Sequence, residues 1–331
     1  MAKIFDIVTV GSALRDVTYY TNAFSVISNP TKDPTRKKLL AIEFGAKIRS
    51  ENLHFDFGGG ASNTAVAASR LGVKTGIITS VGSDLDGRAI ISHLREQGVD
   101  TSMMHVDSKK PTGLSFVAVD ERSGEHTAFV YYGATENVRV TPAMLKNVRT
   151  DSFYVSSLNN PQWKNTMRTL YAHGAKVAWN PGGAQLAAGF AALHPFFALT
   201  DLLILNRDEA VECIVSEGKI KPKAIPQMLT HIQSWGPKVV VITDSRKGAH
   251  AYCAGKMYFV ASPKDTPVDT TGAGDSYGAS LLTGLIRYHG NIQRAMQLAT
   301  LNATANVQVV GAQRGLLKWA DVPKKFRLGV K

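Results

Sequence analysis

Gly272, Ala273 and Gly274 stand directly before Asp275, and Tyr277-Gly278-Ala279-Ser280-Leu281-Leu282 then reads as a helix of small and apolar residues. A glycine turn feeding a helix leaves backbone N–H groups unpaired, with the positive end of the helix dipole behind them. Such a turn is an anion cradle. Asp275 carries the wrong charge to bind an anion, but it is placed to take a proton from a hydroxyl that attacks one. Cradle and carboxylate together point to phosphoryl transfer to an alcohol.

The same residues allow two other readings. Asp in a first turn also favours the helix dipole, so the segment is equally a capped helix. In addition, Gly274-Asp275-Ser276-Tyr277-Gly278 fits the G-x-S-x-G elbow of α/β-hydrolases, which needs an acid and then a histidine downstream. After Ser276 the only histidine is His289, no acid precedes it, and the sole later acid is Asp321. The hydrolase order cannot be assembled.

The elements that must position these groups follow an α/β rhythm. Ile4 to Val10 is a near-continuous apolar run ending at Gly11-Ser12, as in a buried parallel strand. Asp16 is expected in the loop beyond it. Gly58-Gly59-Gly60-Ala61-Ser62-Asn63-Thr64-Ala65 opens a helix of very small residues that stops at Gly72, with Asn63 as cap or ligand contact. Gly76 to Val81 is the next strand, and a helix runs from Gly82–Gly87 to about Gln97-Gly98. Leu114 to Asp120 and His126 to Tyr132 form a hairpin, read as the only clear antiparallel pair. Beyond residue 141, strands Phe153–Ser157, Lys176–Trp179, Asp201–Leu205 and Lys238–Thr243 alternate with helices at 163–173, 207–217 and 222–234. Two last helices are expected at about 273–288 and 291–309.

This pattern predicts a three-layer αβα sandwich with a mostly parallel central sheet. Its ligands belong at the carboxyl ends of the strands, where Asn180-Pro181-Gly182-Gly183, Asn206 to Glu209 and Thr243 to Gly248 supply polar loops. The poorly periodic stretch 21–57, with its basic cluster Arg36-Lys37-Lys38, reads as a lid-like excursion. The lid is expected from about 12–20, 40–57 and 112–132, within a single domain spanning 1–331.

Composition narrows the function classes. With 44% hydrophobic and 19% charged residues the chain is an ordinary globular one. Apolar runs such as Val239-Val240-Val241-Ile242 are strand-sized, short of the roughly 20 residues of a membrane span. The start Met1-Ala2-Lys3 leads straight into a strand without a signal peptide, so no membrane and a cytoplasmic location are expected. The 2 cysteines, Cys213 and Cys253, read as buried free thiols. The histidines show no ligand spacing for zinc. Lys and Arg exceed Asp and Glu by 38 to 26, a net +12. The excess sits in Lys32–Arg49 and in the tail after Asp275, neither with a nucleic-acid signature, so no nucleic-acid partner is expected.

Over essentially its whole length the sequence resembles the PfkB (ribokinase-like) family of carbohydrate and nucleoside kinases. The resemblance rests on Gly58 to Ala65 with Gly72 and Gly82, on Asn206 to Glu209 as N-x-x-E, and on Asp269-Thr270-Thr271-Gly272-Ala273-Gly274-Asp275. It implies a ribokinase-like fold with a small β-sheet lid. It implies that Asp275 is the catalytic base and that the amides of Gly272, Ala273 and Gly274 form the anion hole. Asn206 and Glu209 would position Mg²⁺ through its waters. Asp16, Gly59, Gly60 and Asn63, with Asp275, would contact the acceptor. Thr243, Ser245, Gly248, Gly274 and Asn302, with Asn206, would hold ATP. Ser245 departs from the glycine the family commonly has there. Asp269, Thr271, Gly311 and Gly315 would border a monovalent cation such as K⁺.

The implied activity is ATP-dependent phosphorylation of a sugar hydroxyl. The alternatives are a nucleoside (adenosine-type) kinase, or a non-catalytic sugar- or nucleotide-binding regulator on the same fold. Position 60 is glycine where ribokinases often carry lysine, and Ser156-Ser157 lacks their acid. A homodimer through the lid is expected, because a small sheet with exposed edges seeks a partner.

Overall fold

The computed structural model describes residues 2–30, 38–50, 52–122, 126–218 and 224–327. Arg36 and Lys37 of the basic cluster lie outside them, and the basic tail is described only as far as Arg327. In chain order the strands are β1 (Lys3–Val10), β2 (Leu14–Thr21), β3 (Ser25–Ser28), β4 (Lys38–Ala41), β5 (Asn52–Gly58), β6 (Thr75–Ile78), β7 (Ser80–Gly82) and β8 (His105–Asp107). They continue as β9 (Gly113–Asp120), β10 (His126–Tyr131), β11 (Val148–Val155), β12 (Lys176–Trp179), β13 (Leu202–Asn206), β14 (Val239–Thr243), β15 (Ala249–Cys253) and β16 (Lys256–Val260).

Eight of these form one sheet in the order β16-β15-β14-β13-β12-β11-β1-β6. From β6 to β14 all neighbours are parallel, and β15 and β16 are added antiparallel at one edge. Alternation along the strands sends successive residues into two different cores. Phe153 and Val155 of β11, with Trp179 of β12, pack with Trp163, Met167 and Phe197 from helices on one face. Tyr154, Ala178, Ile204 and Val241 pack on the other with Tyr277, Leu281, Met296 and Ala299, from helices Ala273–Arg287 and Ile292–Asn306. Each fully buried Leu, Val or Phe contributes about 1.5–3 kcal/mol, so both helix layers are pinned by many such residues. The three-layer αβα sandwich expected from the strand–helix rhythm is the architecture found.

A second sheet, β10-β9-β2-β5, occupies the segments from which a lid is expected, apart from residues 40–51, whose strand β4 pairs with β3 in a separate sheet. Its hairpin β9–β10 matches the expected pair. Two expectations are corrected. Asp16 is not in a loop but in β2, opposite Asp56 of β5 and Ser115 of β9. The hairpin is not the only antiparallel pair, since β2–β5, β3–β4 and β14–β15–β16 are antiparallel too. The expected strand Gly76–Val81 divides into β6 and β7, which belong to different sheets. Of the expected buried thiols, Cys213 is buried and Cys253 is half-buried; both are free. Among the described residues, no helix is long and apolar enough to cross a membrane.

Candidate functional site

Gly272 caps the helix Ala273–Arg287 with a left-handed φ of 72°, and a Cβ there would meet the Ala312 backbone oxygen at 2.9 Å. Both constraints call for glycine. The turn brings the helix N-terminus up to the 311–315 loop. Its N–H groups are not all free. Ala273 donates to the Thr270 carbonyl (3.2 Å), and Ser276 to that of Gly272 (2.9 Å). The N–H groups of Gly272, Gly274 and Asp275 have no partner among the described residues. Of the three amides expected to form the cradle, that of Ala273 closes the turn, while those of Gly272 and Gly274 are free, as is that of Asp275.

Asp275 itself is held from the other end of the chain. Asn63 Nδ2 donates to its Oδ2 at 2.8 Å. Asn63 sits in the first turn of the helix Gly60–Arg70, which Gly59 caps and whose start is tied down by Ser12. The Ser12 carbonyl accepts from Ala61 and Ser62 (3.1 and 3.2 Å), and its Oγ accepts from the Gly60 N–H (3.1 Å). A Cβ on Gly60 would stand 2.8 Å from the Ser156 side chain and 3.5 Å from Oδ1 of Asp275. The two glycine-led helices thus meet tip to tip around one carboxylate. Burial pushes that carboxyl up to about 6, against the opposing pull of the Asn63 bond.

The lid adds a second acid. Asp16 is buried and accepts a hydrogen bond from Ser115; loss of hydration, with Asp56, Asp275 and Asp269 nearby, raises it to about 7. Asp56 is paired with Arg314 (2.7 Å), which joins the lid to the 311–315 loop. Asp56, Asp269 and Asp275 thus lie close enough to Asp16 to act on it, and hydroxyl groups can donate to each of these carboxylates.

On the other side of the turn lies a slot of about 190 Å³ lined by Thr243, Ser245, Gly248, Gly274, Tyr277 and Ala303. Asn206 and Thr243 are register partners at the carboxyl ends of β13 and β14, so both face this edge. Space beyond Gly274 is open, and apolar walls next to free N–H groups fit an adenine nucleotide. Asn302 is not at this slot. It is fully buried, donating to Ser280 Oγ (2.8 Å) and accepting from the Leu317 N–H (2.8 Å), while its neighbour Ala303 lines the wall.

Asn206 and Glu209 form a reciprocal capping box at the start of the helix Arg207–Ser216, at 2.8 and 2.9 Å. Burial, with Glu212, Asp275 and Asp208 nearby, raises the Glu209 carboxyl to about 7. A carboxylate kept reluctant mainly by burial, and further by other carboxylates, is one that a divalent cation would relieve. Among the described residues no three His, Cys, Asp or Glu side chains cluster as a metal cage. Asp269 accepts from the Thr271 and Gly311 N–H groups, both at 2.8 Å, and so clamps the two loops together. Gly315 packs instead on Ala305 and Asn306, at the end of the last long helix.

Four groups escape sequence reasoning: Ser12, Asp56, Gln313 and His93. Gln313 Nε2 donates to Asn63 Oδ1 (2.8 Å), and Gln313 Oε1 is 2.8 Å from His93 Nε2. Nothing in their spacing marks them, because their partners lie up to 258 positions away.

Residues 5–319 match the pfkB family carbohydrate kinase profile. The ribokinase of Haemophilus influenzae is 25% identical, over 82% of this chain and 88% of its own. The nucleoside kinase of Methanothermobacter thermautotrophicus is 27% identical, over 84% of this chain and 86% of its own. Among solved structures, Arabidopsis thaliana ribokinase complexed with ribose and ATP superposes with a TM-score of 0.79 at 20% identity, covering 99% of this chain and all of that one.

Proposed function

The chain belongs to the pfkB family of carbohydrate kinases, and on that premise we propose that it moves the γ-phosphoryl group of ATP onto a hydroxyl of a free sugar, with Asp275 as the base. The observation that carries this reading is the Asn63–Asp275 hydrogen bond beside a helix start whose Gly272 and Gly274 N–H groups are unpaired. The acceptor O–H gives its proton to Asp275 as its oxygen bonds to the γ-phosphorus. The bond from that phosphorus to the β,γ-bridging oxygen breaks, and ADP leaves with the electron pair. The N–H groups of Gly272, Gly274 and Asp275 stabilise charge on the transferred group.

The slot beside Gly274 takes the nucleotide, with Thr243, Ser245 and Gly248 along it. Asp16, Gly59, Gly60 and Asn63 border the acceptor. Asn206 and Glu209 would hold Mg²⁺ with its waters, and the ion would neutralise phosphate charge. Asp269 keeps lone pairs for a monovalent cation such as K⁺ beyond the two N–H groups it already accepts.

A nucleoside acceptor is the second reading, favoured by the Tyr20–His54 ring pair (centroids 5.6 Å apart) at the far end of the lid face that carries Asp16 and Asp56. Coupled ADP release over ribose, fructose, ketodeoxygluconate, fructose 6-phosphate, adenosine and inosine decides between them. Turnover of a free sugar is expected. Folded protein with Mg²⁺ that turned over none of the six would overturn the proposal.

We assign the second copy of a homodimer to the outer face of the lid. Register places Phe55, Val17, Phe116 and Phe129 in one row across its four strands, on the face away from Asp16. Phe55 is 53% exposed, Phe129 63% and Tyr131 52%. An apolar sheet face of this kind calls for a cover.

A further inference from the structure

We infer that Gln313 and His93 are positioning residues for the reaction: Gln313 fixes which way the Asn63 amide faces, and His93 fixes Gln313. The inference rests on the reading of Asp275 as base. An asparagine amide has a donor end and an acceptor end of nearly equal shape. Only its Nδ2 end attracts the Asp275 carboxylate; turned over, it would set oxygen against oxygen.

What holds the amide the right way is on its far side. Asn63 Oδ1 accepts from Gln313 Nε2 at 2.8 Å, and the second Nε2 proton points to Ser62 Oγ at 3.1 Å. Gln313 is 5% exposed, so water cannot replace these partners freely. Its own amide has the same ambiguity, and Oε1 lies 2.8 Å from His93 Nε2. That contact requires the imidazole to carry its proton on Nε2 and to donate it. The Gln313 backbone is anchored separately, its carbonyl accepting from Arg70 Nη1 at 2.7 Å. Each polar end along the line is therefore specified by the next.

The line ends at the lid. The His93 ring packs on Phe57 at the base of β5, with centroids 4.6 Å apart. Arg15 of β2 also packs on Phe57, its guanidinium 4.8 Å from the ring centre. The lid strands that carry Asp16 and Asp56 thus abut the outer end of a chain of hydrogen bonds whose inner end is Asp275.

A buried glutamine that merely satisfied its neighbours would affect stability and leave the chemistry of Asp275 alone. Gln313→Glu separates the two roles. The ionised carboxylate that this substitution introduces offers no donor to Asn63 Oδ1, so the Asn63 amide turns and the N–H that favours the ionised Asp275 is lost. The other ionisable groups facing Asp275 are Asp16 on β2, Tyr154 on β11 and Glu209 beyond β13, and none of them is changed.

The experiment is steady-state kinetics of the full chain, on the acceptor found by the panel, with thermal melts of every variant. For Gln313→Glu, kcat should fall by about tenfold to a hundredfold, the cost of a misplaced reacting group. The acid limb of kcat/KM should move to higher pH and KM for ATP should stay within about twofold, since the nucleotide slot is untouched. His93→Asn keeps a donor and should retain more activity than His93→Leu. An unmoved acid limb in Gln313→Glu, with Asp275→Asn inactive, would overturn the inference while leaving the base in place. Full activity in Asp275→Asn would instead remove the base reading itself. If Gln313→Glu does not fold, Gln313→Met and the His93 pair decide, and wild-type kcat in both Gln313→Met and His93→Leu overturns the proposal.

Discussion

Asn63 and Asp275 stand 212 positions apart and share one hydrogen bond, Nδ2 to Oδ2 at 2.8 Å. Each occupies the first turn of a glycine-led helix, and those helices come from the two ends of the chain. The bond favours the ionised carboxylate, while burial favours the protonated one. Burial wins and leaves the group near 6, which suits a base working close to neutrality.

Asp275→Asn keeps the shape and removes the base. Turnover should fall by about 10²–10⁴. ATP affinity, measured by calorimetry, should change little, because the free N–H groups of the turn remain. Activity within a few fold of wild type would exclude Asp275 as the proton acceptor.

The pH dependence follows from the same carboxyl. The group works ionised, so kcat/KM should rise through about pH 6 and level off above it. A pH–rate profile flat from about 5 to 8 would contradict this assignment.

Asp16 gives a stability prediction of opposite sense to the usual carboxylate. Its folded-state value of about 7 lies above the ordinary 3.8, mainly through burial. Between those values the folded state keeps a proton that the unfolded chain has released. The associated stability is complete below about pH 4 and is lost as pH rises through about 7. A shift of this size is worth up to about 4 kcal/mol. Relative to wild type, Asp16→Asn should melt higher at about pH 8 than at about pH 5, by differential scanning calorimetry. An equal difference at both pH values would count against the assignment.

Much of this architecture is written locally in the sequence. Hydrophobic alternation and the strand–helix rhythm locate most of the central sheet, because parallel strands buried on both faces are near-continuous apolar runs. The helix start at Gly272–Asp275 is legible because glycines, an acid and small residues are contiguous. The added strands β15 and β16 are not, for a physical reason. They join through Ala254 and Gly255, both at positive φ (49° and 78°), and Ala254 lacks the Asn or Asp that signals such a turn. Asp16 reads as a loop residue because β2 lies half-buried in a lid rather than in a core, which blurs its alternation. Gln313 and His93 carry no local signature at all: their role is created by contacts between distant segments.

Ser245 lines the slot proposed for the nucleotide, with φ at 48°, in the left-handed region that costs a non-glycine residue about 1–2 kcal/mol. Ser245→Gly should therefore raise the melting temperature by a few degrees, less the extra entropy of the unfolded glycine chain. KM for ATP should change by no more than a few fold. A lower melting temperature would show that the serine hydroxyl contributes more than the strained backbone costs.

The outer lid face supplies the last prediction. Phe129 lies on β10, the edge strand of the lid, and its ring is 6.2 Å from Phe116 and 63% exposed. A second copy laid across this face would bury Phe129, Phe55 and Tyr131 together, whereas the acids of the inner face stay with the acceptor. A charge placed at position 129 would give up hydration against a largely apolar partner face, at several kcal/mol per interface. Phe129→Glu should then be monomeric by light scattering at concentrations where the wild type has twice the chain mass. Folding should be retained, because the residue is open to solvent in the single chain. A wild-type protein of monomeric mass at assay concentration would remove the dimer, and a Phe129→Glu dimer as tight as wild type would move the interface elsewhere.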